Sequence, residues 1–292
     1  MLRVFLLIVT NVAVLLLATV VLQLLGVGPW LTSNGIQFGP LIIIGAVFGF
    51  GGAFISLAIS KWMAKRTMGV QVIETPRNDT EAWLVATVRR QAAAAGIGMP
   101  EVGIFDAPEP NAFATGASRN HALVAVSTGL LARMRREEAE AVMGHELTHV
   151  ANGDMITLTL IQGVVNTFVF VLSRVIGRFV DKVVFRDEDG RGIGFFIATM
   201  VAQVFLSLIA NMVVMWFSRR REFRADAGGA LLGSRAGMVG ALEALQRVQS
   251  DGLPEGMQAF GIAGGERVSG LKRLFMSHPP LEERIAALRQ ST

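Results

Sequence analysis

Four long stretches without a single charged residue dominate this chain: residues 4–25, 41–59, 155–173 and 193–218. An α-helix rises about 1.5 Å per residue, so about 20 such residues cross a hydrocarbon layer roughly 30 Å thick. All four stretches meet that length, and the chain is expected to carry four transmembrane helices. The first is too long for the apolar region of a signal peptide, and no A-x-A site follows it, so it reads as an anchor. Length alone would suggest something else. At about 150 residues per domain, 292 residues predict two soluble domains. Composition opposes this, because 52% of residues are hydrophobic and only 17% charged. An ordinary soluble domain carries about 25% charge. Disorder is excluded, since it needs the opposite balance.

The charges between the stretches set an orientation. Residues 26–40 contain no Lys or Arg, whereas Arg3 precedes the first stretch and Lys61, Lys65 and Arg66 follow the second. The positive-inside rule places both ends of this hairpin in the cytoplasm, together with Arg219, Arg220 and Arg221 after the fourth stretch. The third-to-fourth connection mixes Lys182, Arg186 and Arg191 with Asp181, Asp187, Glu188 and Asp189. It leaves open whether the second hairpin crosses fully. The expected organisation is a hairpin at 1–60, a polar segment at 61–154, a second hairpin at 155–218 and a second polar segment at 219–292.

The sequence pI of about 10.3 invites a nucleic-acid partner. Residues 61–154 are near charge balance and 217–292 only slightly basic, so no Lys/Arg stripe is available to neutralise phosphates. The expectation is no nucleic acid. Cysteine is absent. That excludes disulfides, zinc–thiolate sites, iron–sulfur clusters and thiol nucleophiles, and leaves His, Asp and Glu to hold any metal.

Local signals outline the polar segments. A helix is predicted over 79–95, with Asp79 as cap and Gly96 as stop. Short strands are predicted at 102–105, 112–115 and 122–126, between Pro, Gly and Asn. Further helices are expected at 127–135, 137–151, 222–232, 236–249 and 280–288. Residues 252–270 read as a glycine-rich loop. Gly45, Gly49 and Ala53 make a small-residue face for helix packing. Gln162, Asn166, Gln203 and Asn211 are expected to bond between helices, and His121 to lie in a surface turn.

The chemistry concentrates in His145-Glu146-Leu147-Thr148-His149. On a helix, His145 and His149 are one turn apart on one face, where two imidazoles can share a zinc ion. Glu146 is rotated aside, placed to act as general base toward the attacking water. A catalytic zinc needs a third protein ligand. Glu222 can supply it, and Asp226, one turn later, can accept the outer ring N–H of a histidine ligand. A charged helix face would also carry such residues. Topology favours the ligand reading, because a complete hairpin between His149 and Glu222 returns the chain to the same face of the bilayer. The ligand set favours zinc over cobalt or manganese.

His278 lies in Ser277-His278-Pro279-Pro280 before an expected helix, where the prolines would fix its approach. Together these motifs resemble the HtpX family of membrane-bound zinc metalloproteases, relatives of the CAAX prenyl proteases. The resemblance rests on the N-terminal hairpin, Asn111-Ala-Phe-Ala-Thr-Gly116, His145-Glu-Leu-Thr-His149, Ser218-Arg-Arg-Arg-Glu-Phe-Arg-Ala-Asp226 and Ser277-His-Pro-Pro-Leu-Glu-Glu-Arg284, in that order and over nearly the whole chain. It implies a mainly α membrane protein whose four transmembrane helices interleave with an α+β, zincin-like catalytic domain of gluzincin type. It implies one Zn2+ per subunit and ATP-independent cleavage of membrane or misfolded proteins, in stress response and quality control. The active site would face the cytoplasm from the cell inner membrane. The resemblance also implies that His278 stabilises the oxyanion, and that the strand Asn111, Ala112, Phe113, Ala114 pairs with extended substrate. Oligomeric state is not set by the sequence.

Two rivals belong to other classes. A site-2-type intramembrane protease would place the motif inside an apolar helix, but Arg135, Arg136, Glu137, Glu138, Glu140 and Asp154 flank it here. A metal transporter or sensor would carry ionisable residues deep in its spans, and the four stretches hold none.

Overall fold

The computed structural model describes Ser33 and residues 37–186, 192–250 and 276–290. The first apolar stretch at 4–25, most of the connection after it, the charges at 187–191 and the glycine-rich segment 252–270 lie outside the described residues. The described elements are α1 (Phe38–Thr67), β1 (Gln71–Val72), α2 (Asp79–Ala95), β2 (Glu101–Phe105), β3 (Ala112–Thr115), β4 (Leu123–Ser127), α3 (Thr128–Arg133), α4 (Arg136–Asn152), α5 (Asp154–Val180), α6 (Ile193–Leu232), α7 (Arg235–Ser250) and α8 (Leu281–Gln290). A π-helical turn, Asp181–Phe185, extends α5. Among the described residues three helices are long and apolar enough to cross a membrane: α1, α5 with its extension, and α6. The described residues divide into two compact units, one within Met1–Ser56 and Thr157–Val214, the other within Leu57–Ile156 and Met215–Thr292.

In the first unit, small residues let α1 and α5 approach closely. A Cβ at Gly49 would lie 2.7 Å from the Gly163 carbonyl oxygen, and one at Gly45 would touch Val171 and Phe170. Phe48 stacks on Phe170 at 5.7 Å. Large apolar side chains such as Val47, Ile55, Phe196 and Phe205 stay exposed, as lipid-facing residues do. The Gln162 amide donates to Asn166 Oδ1 at 2.7 Å within α5. The bond expected between helices is thus made inside one, because residues four apart on a helix are already neighbours.

In the second unit a four-stranded sheet runs β1-β2-β4-β3. β2 and β4 pair in parallel, and β1 and β3 flank them antiparallel. β4 is buried along its whole length, as a central strand should be. β3 lies at an edge. Leu84 and Val88 of α2, Met143 and Leu147 of α4, Leu242 of α7 and Leu281 and Ile285 of α8 share one core with Val124 and Val126.

Two expectations about helix ends are corrected. Asn78, not Asp79, caps α2. Its Oδ1 accepts from the Glu81 N–H at 2.8 Å, while the Glu81 carboxylate accepts from the Arg77 N–H at 2.8 Å. The first bond satisfies a donor that a helix start leaves open, and the second ties the residue before the cap to the first turn. The helix expected to begin at residue 222 is instead the end of α6, which continues unbroken past Ser218. Loss of apolarity does not end a helix. Arg and Glu are good helix formers, and no proline interrupts the run.

Candidate metal centre

Helix α4 carries the His-Glu-x-x-His motif, and its ends are well defined. The Glu138 carboxylate accepts from the Arg135 N–H at 2.8 Å at the start. Gly153 closes the other end in the left-handed conformation, with φ 70°, which favours glycine. Against α4 runs the last part of α6, and glycines set the distance. A Cβ at Gly229 would lie 2.8 Å from the Ala141 carbonyl oxygen and 3.1 Å from the His145 nitrogen. One at Gly228 would overlap Thr148. Glu222 stands two turns before this crossing. The close approach brings its carboxylate to the histidines.

The three donors converge. His149 Nε2 lies 3.2 Å from His145 Nε2. Glu222 Oε2 is 3.5 Å from His145 Nε2, and Glu222 Oε1 is 3.4 Å from His149 Nε2. All three residues are buried. The outer ring nitrogens face carboxylates. His149 Nδ1 donates to Asp154 Oδ2 at 2.7 Å, and His145 Nδ1 lies 3.0 Å from Asp226 Oδ1. With protons held on the Nδ1 atoms, two Nε2 lone pairs and a carboxylate face one another at close range. Glu222 Oε1 is buried with no hydrogen-bond partner. Electron pairs so arranged repel unless a proton or a metal ion lies among them. Bonds of about 2.1 Å in a tetrahedron give ligand separations of about 3.4 Å; each histidine lies near that distance from a different oxygen of Glu222, and one ligand atom from each residue lies within 4.8 Å of the others. The residues present therefore fit a divalent ion such as zinc.

The electrostatics are strongly perturbed. Burial by itself would lower the His145 pKa, but contact with Asp226 and Glu222 carries it up to about 9. Burial would raise Glu222, but the charge of His278 and the contacts with His145 and His149 hold it well below the usual carboxylate range. Asp226 is likewise held down against burial by Arg284 and His145. Arg284 is only 1% exposed and grips Asp226 through Nε at 2.8 Å and Nη2 at 2.5 Å.

The remaining expected residues stand nearby. His278 Nδ1 donates to Glu222 Oε2 at 2.6 Å. The Glu146 carboxylate accepts from the Ala114 backbone N–H at 3.0 Å. Asn111 exchanges backbone contacts with Ser127, donating to its Oγ at 2.9 Å and accepting from its N–H at 2.8 Å. Since backbone groups alternate sides along an antiparallel strand, those of Ala112 and Ala114 point to the open edge. Phe113 instead packs its ring on Phe105 at 5.5 Å. His121 is exposed.

Sequence reasoning missed Asp154, Arg221 and Arg284 as parts of this assembly. Asp154 follows His149 across the end of a helix, so helical spacing does not pair them. Arg284 lies in the motif that holds His278, but only the fold brings it to Asp226.

The profile of peptidase family M48 matches residues 78–292. The chain is 63% identical over 287 residues to a "Protease HtpX homolog" of Thiobacillus denitrificans, covering 98% of each chain. It is 62% identical over 290 residues to "Protease HtpX" of Thioalkalivibrio sulfidiphilus, again covering 98% of each. Among solved structures, S. mikatae Ste24p is similar with a TM-score of 0.63 at 18% identity, covering 99% of this chain and 67% of that one. At that identity the likeness speaks to the fold alone.

Proposed function

The chain belongs to peptidase family M48 and is a membrane metalloprotease, and from that premise we propose how its residues hydrolyse a peptide bond. His145, His149 and Glu222 would hold one zinc ion. The chemistry that ion supplies when bound is polarisation of the scissile carbonyl and a more acidic attacking water. Glu146 takes the proton from that water and later delivers it to the leaving amine. The Ala114 N–H, 3.0 Å from its carboxylate, keeps Glu146 in place. His278, anchored on Glu222 through Nδ1, turns its other ring nitrogen to the oxyanion as it develops. Asp226 and Arg284 hold the His145 ring.

Substrate lies extended along the open edge of β3, pairing with the outward backbone groups of Ala112 and the carbonyl of Ala114, whose N–H is held by Glu146. Asn111 contributes its side-chain amide. Backbone pairing tolerates many sequences, which suits an enzyme that removes membrane or misfolded proteins in quality control. We place it in the inner membrane as a multi-pass protein, with residues 61–154 and 219–292 forming the catalytic part on the cytoplasmic side, as the Lys/Arg distribution favours.

The observation that carries this reading is the convergence of three buried donors at 3.2–3.5 Å beside Glu146. It is tested by metal analysis and digestion of an unfolded protein, on wild type and on Glu146→Gln. The variant should keep stoichiometric zinc while turnover falls about 100- to 10,000-fold. Turnover near wild type in Glu146→Gln would refute the mechanism.

A further inference from the structure

Both imidazoles of the metal centre turn an outer nitrogen to a carboxylate, and each carboxylate faces an arginine. Asp226 was expected from helical spacing; Asp154 was not. We propose that Asp154 is the positioning residue of His149, fixing its tautomer and setting how slowly the site releases its metal. The proposal rests on the metalloprotease reading above.

Four observations carry it. Asp154 is 3% exposed, although a buried carboxylate must find partners to be tolerated there. Its partner is the His149 ring, with Oδ2 2.7 Å from Nδ1, within the range of a charge-assisted hydrogen bond. Arg221 supplies the balancing charge, with Nη1 3.9 Å from Oδ2, too far for a hydrogen bond. The chain itself builds the contact. The left-handed turn at Gly153 ends α4 and starts α5 at Asp154, folding the carboxylate back against the ring one turn away.

The consequence for the metal is direct. While Asp154 holds the proton on Nδ1, the Nε2 lone pair must face Glu222 and His145, at 3.4 and 3.2 Å. An amide at this position loses the charge that strengthens the ring as a donor, and its NH2 can favour the wrong tautomer. Outer partners of ligand histidines typically alter metal affinity 10- to 100-fold.

The test uses full-length protein in detergent, loaded with zinc and then challenged with excess chelator. Asp154→Asn should release zinc about 10 to 100 times faster than wild type. Its cobalt(II)-substituted form should show shifted visible bands, a sign of changed ligand geometry that a purely structural role would not produce. Arg221→Gln should accelerate release less, by roughly a few fold, since it touches the ring only through Asp154. Release at the wild-type rate in Asp154→Asn overturns the proposal. So does faster release with an unchanged cobalt spectrum, which would mark a general loss of stability. If Asp154→Asn does not fold, Asp154→Glu keeps the charge on a longer arm. It should show the same spectral change with a release about tenfold faster, and wild-type behaviour in both respects overturns the proposal. Absence of metal from wild type would refute the metalloprotease reading itself; metal in wild type with no effect in the variants refutes only the role of Asp154.

Discussion

His145 and His149 each rest on an aspartate, but the two aspartates are held by different means. Asp226 is gripped by Arg284 through two hydrogen bonds, both residues about 1% exposed. Arg284 comes from α8, far along the chain, so the pair exists only when the whole unit has closed. Asp154 has Arg221 only at 3.9 Å and reaches His149 through a local turn. A buried charge pair formed at long range is tied to global stability, because losing one partner strands the other in a medium that cannot solvate it. A contact built by adjacent residues can loosen without opening the core. The first support should therefore behave as part of the fold, and the second as a control on the metal.

The largest effect expected from this contrast is on stability. Asp226→Ala leaves the buried Arg284 with Glu222 at 3.9 Å but without its hydrogen-bonded partner, and should cost about 3–5 kcal/mol. Asp154→Ala leaves the buried His149 Nδ1 without its partner and should cost about 1–3 kcal/mol. Denaturation of the metal-free proteins in detergent measures both, and equal losses would break the contrast. Next comes the helix crossing that both supports depend on. Gly229→Ala puts a methyl group 2.8 Å from the Ala141 carbonyl oxygen, and should cost about 1–3 kcal/mol with loss of zinc. Gly51→Ala, on α1 with nothing within 4 Å, is the control. It should stabilise by up to about 1 kcal/mol from helix propensity alone, and metal content tracked across the two variants tells crossing from propensity.

The remaining effect is on pH. The folded pKa of His145, about 9, lies above its ordinary value of 6.5. The stability this gives the metal-free protein is complete below pH about 6.5 and is lost as pH rises through about 9. Metal requires the bare ring. Apparent zinc affinity should therefore climb with pH across this window, by at most about tenfold per unit for one displaced proton. Competition with a chromogenic chelator between pH 6.5 and 9 would detect it, and a flat profile would mean that His145 holds no proton to displace.

Much of the second unit was legible because its signals are local. The helix expected at 79–95 is α2, Asp79–Ala95, and the strand expected at 112–115 is β3, Ala112–Thr115. The helix around His145 was bounded within a residue or two, since Gly153 marks its end. The cap of α2 was misassigned because Asn78 and Asp79 both suit the position, and only backbone geometry separates them. β1 was missed; two residues carry no alternation to read. Residues 222–232 differ from the span before them in apolarity, which does not mark a helix end, so their continuity in α6 shows only in the structure.

What the sequence by itself determined is whatever depends on spacing along one element: charge-free stretches long enough to cross a bilayer, two imidazoles one turn apart, and a carboxylate one turn from another. What only the tertiary structure decided is how those elements meet. Glycines at 228 and 229 let α6 approach α4, so that Glu222 faces both histidines. The closing of α8 carries Arg284 to Asp226, and the turn at Gly153 folds Asp154 onto His149. The physical reason is that one-dimensional periodicity encodes which face a residue occupies. The distance between faces is set by packing, and a metal site tolerates errors of only a few tenths of an ångström in that distance.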